Sequence, residues 1–313
     1  FWCKNCLNMS TRPRIEFDKK GICNACKWSF EKNKINWKIR KKELINIFKR
    51  TKTSSHYDCV VPLSGGKDGT SIAHKIKYQL KKNPLCVTVR PPLELEIGKK
   101  NLDNFFKLGF DHIHVTPNAS TMQKLNRIGL IHYGQPYYGW LISIHSAVTR
   151  IASQNNISLI VYAEDGELEY GGSTSNKTKA IYDTKYQKKI YLNDTYEKVI
   201  KKSKLSIDDL YWFKYPDNAA KIKFIHWSYF EPWDSYKNYL YAKKHCYLED
   251  NEKSNQGTFT NFAQNDQALY ALHCYFMFLK FGFGRALQDA GIEIRRGAME
   301  RNQAINLVNI YDS

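Results

Sequence analysis

Several groups of residues in this chain have types and spacings suited to chemistry. Ser64-Gly65-Gly66-Lys67-Asp68 follows a short β-branched run, Val60 to Leu63. It precedes apolar positions at helical spacing, Ile72, Ala73, Ile76 and Leu80. A glycine-rich turn from strand to helix presents backbone N–H groups and a helix N-terminus to a phosphate. Ser64 adds a hydroxyl, Lys67 a cation, and Asp68 a carboxylate able to hold Mg²⁺ beside the phosphates. Cys3, Cys6, Cys23 and Cys26 make two C-x₂-C pairs whose four thiolates can surround one metal ion. Glu164, Asp165 and Glu167 follow the apolar run Ile157 to Ala163. Carboxylates beside a phosphate site demand a cation or donors, so this cluster could hold Mg²⁺, bind hydroxyls or orient an incoming amine; a solvated acidic loop is the alternative. Lys280 and Arg285 flank Phe281-Gly282-Phe283-Gly284, a tight turn able to aim two cations into a cleft.

The phosphate turn is not G-x-x-x-x-G-K-[ST], because two glycines stand together directly before the lysine. For the cysteines, a structural zinc with no open coordination position is the expected occupant. A disulfide framework and an iron–sulfur cluster are the alternatives. The remaining cysteines, Cys59, Cys86, Cys246 and Cys274, are scattered.

The elements that must position these groups alternate. Strand patterns at Val60–Leu63, Leu85–Val89, His112–Val115 and Ile157–Ala163 are separated by helical ones at 102–108, 122–128 and 141–154. The spacing predicts an α/β fold with a doubly wound parallel sheet, where ligands collect at the carboxyl ends of the strands. The phosphate turn and the acidic cluster then open onto one crevice. The expected organisation is a zinc module (1–30), a linker helix (31–52), a nucleotide domain (53–175) and a mostly helical region (176–313) ending in three helices. His112 and His114 read as structural. Trp227, Tyr229, Phe230 and Trp233 read as core rather than as a stacking platform.

The formal charge of +18 would suit a nucleic-acid binder, but the basic residues are dispersed and Lys, Asn, Ile and Tyr are abundant throughout. A solvated surface is the expectation, with no nucleic-acid partner. No apolar run is long enough to span a membrane. The chain starts at Phe1 with nothing resembling a signal peptide, and the expected location is the cytoplasm.

Ser-Gly-Gly-Lys-Asp after a strand resembles the pyrophosphate loop of the ATP pyrophosphatase (PP-loop) superfamily, whose members cleave ATP between the α and β phosphates. In that fold adenine lies at the end of the second strand, which implicates Val89 and Arg90. Other segments narrow the likeness: Val61 to Asp68, Gly134-Gln135-Pro136 with Gly139-Trp140, Glu164-Asp165-Gly166-Glu167, and Tyr170-Gly171-Gly172. With them go Leu279 to Arg285 followed by Asp289, and the N-terminal Cys pairs. Together they resemble the N-acetyl sugar amidotransferase family of bacterial surface-polysaccharide and flagellin-glycan pathways. The resemblance implies conversion of a sugar acetamido group to an acetamidino group through an O-adenylyl imidate. It implies ATP and Mg²⁺ held by Ser64, Gly65, Gly66, Lys67 and Asp68, with Lys280 and Arg285 as countercharge on phosphates or an anionic sugar. Ammonia would come from a separate class I glutaminase, with or without a cyclase-like channel subunit, because the chain has no glutaminase motif of its own. One departure stands out. The family has Ser after the loop aspartate, whereas this chain has Gly69, followed by Thr70 as the substitute hydroxyl. Two further readings stay open from the sequence: a tRNA-thiolating PP-loop enzyme and a non-catalytic scaffold.

Overall fold

The computed structural model describes residues 1–312. Its centre is a five-stranded sheet built from β1 (Cys59–Pro62), β2 (Pro84–Val89), β3 (His112–Val115), β4 (Leu159–Tyr162) and β5 (Lys223–His226). The order is β3-β2-β1-β4-β5 and every pairing is parallel. The helices are α1 (Asn24–Lys32), α2 (Trp37–Arg50), α3 (Lys67–Tyr78), α4 (Glu96–Phe106), α5 (Ala119–Tyr133), α6 (Tyr138–Gln154), α7 (Gly166–Tyr170), α8 (Thr184–Tyr186), α9 (Tyr196–Ser203), α10 (Ser235–His245), α11 (Leu269–Phe281), α12 (Arg285–Arg295) and α13 (Arg301–Tyr311). The expected doubly wound parallel architecture is the one observed.

Alternation along the buried strands divides the core between the two faces of the sheet. Cys59 and Val61 of β1 point into a cluster with Leu44, Phe48, Ile72, Ile76 and Phe105. Val60 points the other way, with Val87, Ile160 and Phe224, against Val148 and Ile151 of α6. The chain winds outward from β1 through β2 to β3, then returns to place β4 on the other side of β1. The switch point therefore lies between β1 and β4, where Val60 pairs with Ile160, and the segments that leave these two strands open on the crevice there.

One strand lies within the region expected to be mostly helical, in a stretch with no strand signal of its own. Lys223-Phe224-Ile225-His226 joins the sheet as β5, pairing with Leu159 to Tyr162. Residues 187–191 form a single π-helical turn. Trp227 and Phe230 are buried beside the β1 core, as expected. His112 bonds through Nε2 to the Thr88 hydroxyl at 2.9 Å, a structural contact. No helix among the described residues is long and apolar enough to cross a membrane.

Candidate functional site

A cavity of about 450 Å³ opens at the switch point. The loop from β1 to α3 forms its floor, with Ser64, Gly65, Gly66, Lys67, Asp68 and Gly69 all lining it. Gly66 is the N-cap of the twelve-residue α3 and offers no side chain to the first-turn N–H groups, which leaves those donors for a ligand. Gly65 is required twice over. Its φ is +83°, and a Cβ there would lie 2.8 Å from the Gly98 carbonyl and the Leu102 amide of α4. Ser64 faces the Asp266 carboxyl, which burial raises above the usual range.

Asp68 is held from several sides. Its Oδ1 accepts from Asn238 Nδ2 at 2.8 Å and from Trp233 Nε1 at 3.2 Å, and its Oδ2 is ion-paired with Lys67. Across the cavity, Glu164 Oε1 accepts from the Tyr170 hydroxyl at 3.2 Å. Burial, and then the negative charge of Asp68, pushes the Glu164 carboxyl up to about 7. Two carboxylates converging beside an N-terminal helix turn form a donor set that a hard divalent cation fits, since Mg²⁺ typically takes one or two carboxylates and completes its shell with phosphate oxygens and water. Arg285 enters from the start of α12, with its guanidinium held by Asp289 at 2.8 Å and by the Tyr270 hydroxyl at 2.9 Å.

Other residues singled out in the sequence stand outside the cavity. Asp165 turns away to cap α7, accepting from the Glu167 amide at 3.1 Å, and its carboxyl is pushed up to about 7 by burial and by neighbouring Glu167. Glu167 forms a two-pronged pair with Arg14 of the N-terminal module, at 2.8 and 2.7 Å. Lys280 reaches the end of α5, donating to the Tyr133 carbonyl at 3.0 Å. Val89 is buried, and its carbonyl is taken by Trp140 Nε1 at 3.0 Å. Arg90 is solvent-facing and pairs with Glu94. Thr70 does not stand in for a loop hydroxyl, because its Oγ1 donates back to the Gly66 carbonyl at 2.9 Å inside α3. At Gly69 a Cβ would meet Leu63 Cβ at 2.8 Å and the Pro62 carbonyl at 3.2 Å. The departure from serine thus goes with a close approach of α3 to the end of β1.

The four N-terminal cysteines are fully buried and come together, with all Sγ atoms within 4.8 Å of one another. Cys3–Cys26 and Cys6–Cys23 are separated by 3.9 and 3.7 Å. A tetrahedron with metal–sulfur bonds of about 2.3 Å requires S···S edges of about 3.8 Å, so the set fits a single ion. Donors converge on the sulfurs, among them Asn5 Nδ2 to Cys26 at 3.2 Å and the Cys23 amide to Cys3 at 3.3 Å. The Arg295 guanidinium lies beside Cys6, Cys23 and Cys26 and opposes their negative charge. None of the eight cysteines is disulfide-bonded.

This module also holds the cavity wall. Asn24 Nδ2 donates to the Gly172 carbonyl at 2.7 Å, Asn8 Nδ2 to the Tyr170 carbonyl at 3.0 Å, and Trp28 Nε1 to Glu169 at 2.9 Å. Together with Arg14–Glu167, these bonds fix α7 and so fix Tyr170 against Glu164. Sequence reasoning did not find Tyr170, Trp233, Asn238 or Asp266 as site residues, since aromatic and amide side chains carry no spacing signal. Nor did it find His145, Tyr162, Tyr191 and His226, which line the cavity.

Comparison with known proteins gives three kinds of likeness. An uncharacterized protein of Methanocaldococcus jannaschii, MJ1599, is 35% identical over 89 residues; the match spans 28% of this chain and 32% of that protein. Among solved structures, the NH3-dependent NAD synthetase of Campylobacter jejuni is similar with TM-score 0.33 and 16% identity, covering 44% of this chain and 62% of that one. The U34-tRNA thiolase NcsA of Methanococcus maripaludis has TM-score 0.35 and 14% identity, covering 95% and 86%. Residues 256–313, which bring Asp266, Tyr270 and Arg285 to the cavity, match the C-terminal domain model described as LPS biosynthesis protein WbpG-like. This segment is thus a WbpG-like C-terminal domain, set against a doubly wound α/β sheet that bears a Ser-Gly-Gly-Lys-Asp loop.

Proposed function

We propose that the protein is an ATP-dependent, AMP-forming amidotransferase that converts the acetamido group of an activated bacterial surface sugar to an acetamidino group. One observation carries the reading: the cavity that holds the phosphate loop and Glu164 is completed by Arg285 from the WbpG-like segment.

An amide carbon is a poor electrophile towards ammonia because oxygen leaves badly. Attack of the amide oxygen on the α-phosphate of ATP expels pyrophosphate, and loss of the amide proton gives an O-adenylyl imidate. Ammonia then adds to the imidate carbon, AMP departs with the oxygen, and the amidine remains. Ser64, Gly65, Gly66 and Lys67 cradle the pyrophosphate, and Arg285 offsets its charge. Bound Mg²⁺, held by Asp68 and Glu164, would screen the polyphosphate. Tyr170, backed by the Trp233 ring, closes the wall and keeps water from the imidate. Cys3, Cys6, Cys23 and Cys26 would hold a structural zinc ion, which would order the module that holds this wall. Ammonia is supplied by a separate glutaminase.

The thiolation alternative gains nothing here. Cys59 and Cys86 lie on adjacent strands, two positions apart in register, with both thiols raised by burial, and neither lines the cavity. The test is incubation with ATP, Mg²⁺, ammonium and a panel of activated acetamido sugars. AMP release with a product in which NH replaces O is expected; ADP release would overturn the mechanism.

A further inference from the structure

The cavity continues past Glu164 to the ends of β4 and β5. There the last residues of the two strands, Tyr162 and His226, are paired neighbours in the sheet. His145 of α6 and Tyr191 of the π turn complete a pouch. A π turn is an unusual element that often accompanies a functional site.

The hydrogen bonds fix which atoms this pouch offers. The Tyr215 hydroxyl donates to Gln187 Oε1 at 3.2 Å, which leaves Gln187 Nε2 to donate to His145 Nδ1 at 3.2 Å. His145 therefore carries its proton on Nε2, which makes no hydrogen bond within the protein. His226 Nδ1 lies 3.8 Å from Asp165 Oδ2, which favours the proton on that nitrogen. Its Nε2 then accepts from the Tyr191 hydroxyl at 2.8 Å, which leaves the Tyr191 oxygen a lone pair to accept with. The His145 and Tyr191 rings are stacked, 5.6 Å apart and 11° from parallel. Burial holds both imidazoles neutral, with His145 pushed down to about 4 and His226 to about 3. The pouch thus sets one N–H donor beside one oxygen acceptor on an aromatic surface without formal charge. On the β2 side of the phosphate loop the cavity has a different character. Trp140 is tied to Val89 there, and Tyr137 stacks on Tyr270 at 6.2 Å.

We propose that the His145–Tyr191 pouch, on the β4–β5 side of the phosphate loop, is the subsite for the uncharged amide- and hydroxyl-bearing ring of the acceptor sugar. The nucleoside then occupies the β2 side. A ring that presents both carbonyl and hydroxyl or amide hydrogens satisfies both free groups, and its apolar face rests on the aromatic surface. This assignment rests on the amidotransferase reading, and its test can fail independently of that reading.

Saturation-transfer NMR with N-acetylglucosamine and N-acetylgalactosamine, against glucose and galactose, is run in the presence of Mg²⁺ and α,β-methylene ATP. Wild type is compared with Tyr191→Phe and His145→Phe, each checked for an unchanged melting temperature. The acetamido sugars should bind wild type in preference to the parent sugars. Loss of a single hydrogen bond should weaken them about five- to tenfold in either variant, with nucleotide affinity unchanged to within about twofold. Sugar binding that is absent in wild type, or equal in wild type and both variants, overturns the proposal. Nucleotide affinity falling in step with sugar affinity overturns it too, by placing the nucleoside in the pouch. AMP formation by wild type on the acceptor panel is scored separately: sugar binding with no AMP formed sinks the reaction and leaves the pouch standing.

Discussion

Gly69→Ala makes a sharp test of how the phosphate loop is held. The added Cβ would sit 2.8 Å from Leu63 Cβ and 3.2 Å from both Leu63 Cα and the Pro62 carbonyl, whereas ordinary contact begins at 3.4 Å. None of these is the free end of a flexible side chain. The first turn of α3 must therefore retreat from β1 by about 0.6 Å, carrying Lys67 and Asp68 with it. Overpacking of this kind costs about 1–3 kcal/mol, and replacing a helical glycine by alanine returns about 1 kcal/mol, for a net loss of about 0–2 kcal/mol. Function should suffer more than stability. A misplacement of about 1 Å can cost on the order of a hundredfold, so roughly tenfold weaker use of Mg·ATP is expected. Urea unfolding gives the first quantity, and calorimetric titration with Mg·ATP gives the second. Gly69→Ser should behave alike, although it restores the hydroxyl of the resembled family. If either variant binds Mg·ATP as tightly as wild type at equal stability, the close approach of α3 to β1 does not set the loop.

Glu164 and Asp165 have folded-state pKa values near 7, above those of unfolded carboxyls, so the protons they retain favour the fold at low pH. In metal-free buffer the melting temperature should therefore fall as pH rises from about 5 to about 8, and Glu164→Gln should flatten that slope. Lys280→Ala should leave Mg·ATP affinity within about twofold, because this lysine serves the end of α5, whereas Arg285→Ala should weaken it by tenfold or more. Glu167→Gln should lower stability by about 1–2 kcal/mol in chemical unfolding without abolishing nucleotide binding. Metal analysis should find one zinc per chain. Cys23→Ser should lose it and, through α7, weaken Mg·ATP binding as well.

The sheet and the loop were legible because their signals are local: continuous β-branched runs, a glycine pair, and helical spacing immediately after. β5 was not, since Lys223-Phe224-Ile225-His226 is only four residues with charged or polar ends. The acidic cluster divides for a geometric reason. Its residues adjoin in sequence, but the chain changes conformation among them: Glu164 precedes α7, Asp165 is its extended N-cap, and Glu167 lies inside the helix. Glu164 consequently faces the cavity, Asp165 caps the helix, and Glu167 meets Arg14. The same holds for Lys280 and Arg285, which belong to two helices separated by a left-handed turn at Gly282. The pouch at His145 and Tyr191 is assembled from four separate segments, and no sequence window contains it.

The grip of the cysteine module on α7 bears on how the protein is made. Arg14 finds Glu167 across 153 residues, Arg12 finds Gln288 across 276, and Ser29 finds Arg295 across 266. Contacts of such high sequence separation are slow to form and cannot exist until the later residues have left the ribosome. The four cysteines can gather a metal ion early, by themselves. The bonds from the cysteine module to α7 need only the chain through residue 172, and α12 adds a later clamp when Arg295 donates to the Glu169 carbonyl at 2.9 Å. A nascent chain would therefore hold its metal before the wall carrying Tyr170 is fully tied down. Pulse proteolysis of chains stalled before and after residue 295 should show stronger protection of residues 164–172 in the longer product.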